Sequence, residues 1–91
     1  MIFYNFLEVI LMTVKDVVAN RFRTICKERE MRFNELATSS GVTPSTVYSM
    51  LDERRRDISI LTIKKLCDGL EITLGEFFST PEFDALEQEI K

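Results

Sequence analysis

FNELATSSGVTPSTVYSML, residues 33–51, places its apolar and small side chains where two short helices would pack across a tight turn. Phe33, Leu36 and Ala37 fall at helical spacing in the first half, and Val47, Met50 and Leu51 do so in the second. Gly41 and a Val42 expected to be buried lie between them. Ala37 is small where the second helix must cross the first. Gly41 can take the left-handed conformation that ends a helix without a Cβ clash. Thr43 can cap the following helix with its hydroxyl, and Pro44 stands at the first helical position, where a missing N–H costs nothing. The stretch reads as a helix-turn-helix.

On its N-terminal side, Thr13 and Asp16 form a T-x-x-D capping signal. Val14, Val18, Phe22, Ile25 and Cys26 then line one face of a first helix ending near Arg29. Arg21, Arg23, Lys27 and Arg29 take the other positions and read mostly as solvated surface. On the C-terminal side, DERRRD (residues 52–57) is a polar loop with three consecutive arginines. Ser59 can cap a fourth helix that turns Ile60, Ile63, Leu66, Cys67 and Leu70 inward, with Lys64 and Lys65 pointing away. Thr73 and Glu76 make a capping box for a fifth helix carrying Leu74, Phe77 and Phe78 to the core. A last helix is expected over residues 81–90, with Phe83, Leu86 and Ile90 in a narrow stripe among acids. That stripe suits either packing back on the domain or pairing with a second subunit.

These signals divide the chain into an apolar extension (residues 1–12), the helix-turn-helix domain (residues 13–79) and an acidic C-terminal helix (residues 80–91). The extension MIFYNFLEVILM is too short to span a bilayer, lacks a basic n-region and contains Glu8, so neither a membrane anchor nor a signal peptide is expected. Phe3, Phe6, Leu7, Ile10 and Leu11 have helical spacing, though the bulky residues also permit a strand. A competing reading makes residues 1–11 a leader translated from a misassigned start, because Leu7-Glu8-Val9 can be encoded by a purine-rich run just upstream of Met12.

Ninety-one residues suit one small domain, for which surface shared with a second subunit would add stability. The net charge of −3 conceals a segregation. Between Lys15 and Lys65 eleven basic residues outnumber seven acidic ones, whereas from Leu66 onward seven acids face only Lys91. A basic module carries an acidic tail. There is no histidine and no glycine-rich phosphate loop. Cys26 and Cys67, on apolar faces without flanking ligands, read as buried thiols in a reducing cytoplasm. No metal, cofactor, small-molecule substrate or enzyme activity is expected.

The spacing Leu36-Ala37, Gly41-Val42, Val47, Met50, together with SILTIKKLCDGLEITLGEFF (residues 59–78), resembles the phage-repressor and Cro-like (XRE-type) helix-turn-helix family. The resemblance runs from about Val14 to Phe78. It implies an all-α, five-helix lambda-repressor-like DNA-binding domain, here with an additional C-terminal helix, acting as a transcriptional regulator. Double-stranded DNA and a second copy of the chain are the implied partners. In that geometry the N-terminal residues of the second motif helix enter the major groove. Val47, Met50 and Leu51 are committed to packing, which leaves Pro44, Ser45, Tyr48 and Ser49 to read bases. Thr43 and Thr46 lie at the phosphate-facing edges, and Arg32, Arg54, Arg55 and Arg56 are expected on the backbone. The chain departs from the family in four places. Phe33 and Pro44 stand where many members carry glutamines, Ser40 replaces an apolar residue, and Glu71 replaces a glycine. Base readout thus lacks the bidentate glutamine pair, and DNA shape or dimer spacing would carry more of the specificity. Promoter occlusion by a repressor is the expected mechanism. A protein-interaction or antitoxin-like module on the same fold is the alternative.

Overall fold

In a computed structural model that describes residues 12–88, four of the six described helices begin on a capping hydroxyl. The order is α1 (Val14–Glu28), α2 (Phe33–Ser40), α3 (Pro44–Leu51), α4 (Ile60–Gly69), α5 (Leu74–Phe78) and α6 (Pro81–Asp84). Thr13 opens α1 with a reciprocal box: its Oγ1 accepts from the Asp16 N–H at 3.2 Å, and the Asp16 carboxylate accepts from the Thr13 N–H at 3.0 Å. Thr73 and Glu76 repeat the arrangement at α5, and Ser59 caps α4. Each cap satisfies amides that have no partner inside the helix. Residues 1–11 of the N-terminal extension and Ile90 lie outside the described residues.

The core gathers the apolar stripes of all the longer helices. Phe22, Leu36, Val47, Leu66, Leu70 and Phe77 are fully enclosed, and the Phe22 and Phe77 rings lie 4.4 Å apart. Both cysteines are buried beside them. Gly41 ends α2 at φ 68°, where the N–H of Val42 donates to Ala37 and turns the chain toward α3. Val42 itself is half-buried against the core. α2 lies against both α3 and α4, and Ser40 of α2 comes close to Gly69 of α4. A Cβ there would fall on Ser40 Oγ and come within 2.9 Å of Ser40 Cα. Glu30 and Glu71 follow α1 and α4 at φ 54° and 58°, a left-handed conformation that costs a side chain about 1–2 kcal/mol.

Three expectations are corrected. Val14 is 42% exposed, while Val18, Phe22, Ile25 and Cys26 are buried as the spacing reads and Val17, Ala19 and even Lys15 join them, so the inner face of α1 is wider than the stripe and excludes its first residue. Ile60 is 62% exposed on the first turn of α4, whose buried face begins at Ile63. The C-terminal helix is one turn, Pro81–Asp84, and residues 85–88 are not helical. Its Phe83 takes the first of the two readings of its stripe and packs back on the domain, 5.9 Å from the Phe77 ring and 4.8 Å from Phe78. Aromatic surface already present on α5 captures it.

Candidate nucleic-acid interface

α3 has one committed face and one free face. Val47 and Met50 are buried, whereas Pro44, Ser45 and Tyr48 are exposed, and Ser49 and Thr46 are half-buried at the margins. The hydroxyls at the start of this helix are linked. Thr43 Oγ1 accepts from the Thr46 N–H at 3.3 Å and lies 2.9 Å from Ser45 Oγ and 3.0 Å from Thr46 Oγ1. The cluster therefore stiffens the helix start while keeping lone pairs and protons on the surface.

Tyr48 is 53% exposed, and its ring meets Phe33 edge-on with centroids 6.2 Å apart. Phe33, opening α2, thus supports an aromatic reader on α3 from the position where a glutamine clamp was noted as missing. The phenol stays free to reach a base edge or a thymine methyl.

Beside the free face, Ser45, Thr46, Ser49, Arg55, Ser59 and Thr62 border a groove of about 290 Å³ between α3 and the first turn of α4. The capped N-terminus of α4 faces this groove with its amide dipoles. Arg55 and Arg56 are exposed and, among the described residues, form no ion pair. Arg32 is exposed at the start of α2, with no side-chain capping bond of that helix assigned to it. Arg54 differs from its neighbours. It grips Asp52 through Nε–H to Oδ1 (3.1 Å) and Nη2–H to Oδ2 (2.9 Å), and its hydrogen bonds hold the Asp52 carboxyl down at about 2.

Four basic residues on and just after α1 donate to main-chain carbonyls of other elements, while Lys27 is exposed. Lys15 Nζ donates to the Asp52 carbonyl at 2.6 Å, and Arg23 donates to the Leu51 carbonyl at 2.9 Å. Arg29 reaches the Leu70 carbonyl at 2.7 Å, and Arg21 reaches those of Phe77 and Glu76 while lying over the Phe77 ring. Four cations therefore close the carbonyl ends of α3, α4 and α5, where the helix dipole favours positive charge. Sequence reading missed this, because partners 28 to 56 residues apart leave no local signature.

Burial raises both cysteine thiols, so neither is a reactive thiolate at neutral pH. Among the described residues no cluster of three or more His, Cys, Asp or Glu could hold a metal ion, and no helix is long and apolar enough to cross a membrane.

Comparison with known proteins agrees with this arrangement. The model of the Cro/C1-type HTH DNA-binding domain matches residues 21–82. The chain is also similar to the control protein C.MunI from a Mycoplasma species, at 29% identity over 69 residues, spanning 76% of this chain and 93% of that protein. No solved structure matches. With a helix-turn-helix at its centre, a free polar face on the second motif helix and the family match over most of its length, the chain belongs to the Cro/C1-type helix-turn-helix DNA-binding proteins.

Proposed function

We propose that this protein is a transcriptional repressor that binds duplex DNA as a homodimer in the cytoplasm and occludes a promoter. The observation that carries the reading is the free face of α3, with Pro44, Ser45, Tyr48 and Ser49 turned outward and Arg55 and Arg56 exposed beside it. In this reading those four residues contact base edges. Thr43, Thr46, Arg32, Arg55 and Arg56 hold the phosphate backbone and set the register. The printed name of the similar Mycoplasma protein, a control protein, supports a regulatory role. Two copies on a twofold axis would meet two half-sites about one helical turn apart.

The test is a selection of binding sites from random duplex DNA at physiological salt, with sedimentation of the protein on the enriched duplex. Paired half-sites about 10–10.5 base pairs apart, bound by two copies, are the expected result. A single half-site bound by one copy would remove the dimer from the reading. Absence of any enriched motif would replace the repressor with a protein-interaction module.

A further inference from the structure

Three donors converge on one carboxylate at the end of α3. The Arg54 backbone N–H donates to Asp52 Oδ1 at 3.0 Å, Nε–H to the same oxygen at 3.1 Å, and Nη2–H to Oδ2 at 2.9 Å. This fork is the edge that a guanidinium offers to a phosphate. The Arg54 side chain is 90% exposed, so packing does not hold it, whereas the Asp52 backbone is tied down. Its N–H donates to Ser49 at 3.2 Å, and its carbonyl accepts from Lys15 at 2.6 Å and from the Arg55 N–H at 3.0 Å. An acid at a helix C-terminus opposes the dipole, and here the ion pair offsets that cost.

We propose that Asp52 sets the strength of sequence-independent DNA binding: its carboxylate occupies Arg54 as an internal stand-in for a DNA phosphate and withholds it from backbone contact. The inference rests on the DNA-binding reading of the loop and deepens it. Of three consecutive arginines, Arg55 and Arg56 grip the backbone while Arg54 is engaged within the chain. Each phosphate contact adds equally to binding of correct and incorrect sequences. Holding one back weakens binding to every duplex alike and leaves the ratio set by the readers on α3 unchanged.

The experiment measures binding to a random-sequence duplex across a salt series. The proteins compared are wild type, Asp52→Asn, Arg54→Ala and the double variant. Asn keeps an oxygen for the Arg54 N–H, so the turn persists while the charge leaves. Asp52→Ser, with a hydroxyl of similar reach, serves as an independent second release should Asn disturb folding. Both releases are expected to bind more tightly, with the log–log salt slope steeper by about 0.9. The gain over wild type then shrinks roughly eightfold for each tenfold rise in salt. In the Arg54→Ala background the gain is expected to fall to a small fraction. An unchanged slope in both releases overturns the proposal, as does an equal gain without Arg54, which would mean simple loss of a repelling charge. Wild-type protein with no salt-dependent duplex binding would instead overturn the DNA-binding reading itself.

Discussion

Phe33 and Tyr48 meet edge to face across the motif, and this contact changes what the missing glutamines mean. The reading surface is built from an aromatic ring and hydroxyls rather than from bidentate amides. Tyr48→Ala is accordingly expected to lower the ratio of specific to non-specific binding by about 1–3 kcal/mol, with little loss of stability because the ring is half exposed. Competition between an enriched site and random duplex checks this, and an unchanged ratio would remove Tyr48 from the readers. Ser40 poses the opposite problem. Its Oγ is buried without a hydrogen-bond partner, in the space left by Gly69 on α4. Removing an unsatisfied hydroxyl while keeping Cβ should stabilise, so Ser40→Ala is expected to add about 1 kcal/mol and to raise Tm by roughly 4–8 °C. Thermal unfolding followed by circular dichroism would show it, and a lowered Tm would mean that the hydroxyl has a stabilising role.

At the scale of elements, α1 acts as a clamp. Its Lys15, Arg21 and Arg23, with Arg29 just past its end, donate to carbonyls at the ends of three other helices, so the basic stretch from Lys15 to Lys65 offers fewer free donors to DNA than its count implies. The loop between α3 and α4 supplies the free ones. Replacing Arg55 and Arg56 together by Ala is expected to weaken binding to every duplex alike. The log–log salt slope should flatten by roughly 1.8, about 0.9 for each phosphate lost. Sequence preference should survive. A salt titration on an enriched and a random duplex checks both statements, and a shift in preference would place the loop, rather than α3, in the groove.

Across the whole molecule, no histidine is available to titrate near neutrality, and the buried thiols are raised. The Asp52 carboxyl is depressed to about 2, so the stabilising effect of its pair is present above its ordinary value of 3.8 and is lost only as pH falls through about 2. DNA affinity is therefore expected to change less than about twofold between pH 6 and 8, measured at fixed ionic strength. A steep dependence in that window would mean that a group near the DNA titrates abnormally.

Helix starts, the left-handed turn at Gly41 and the burial of Val47, Met50, Leu66 and Phe77 were legible in the residues alone. Capping and amphipathic spacing act within four residues, and that is the range over which a sequence states its own physics. The outward face of α3 followed from the same spacing, by subtraction of the packed side. What only the tertiary structure decided is which partners distant side chains find. Phe83 turns back because α5 presents aromatic surface to it, and Ile60 stays outside because the buried face of α4 begins only at Ile63. The arginines of α1 become helix-end donors because the fold brings unpaired carbonyls to them. Such choices depend on the angles at which helices pack, and those angles are set by the whole core together rather than by any one stretch of chain.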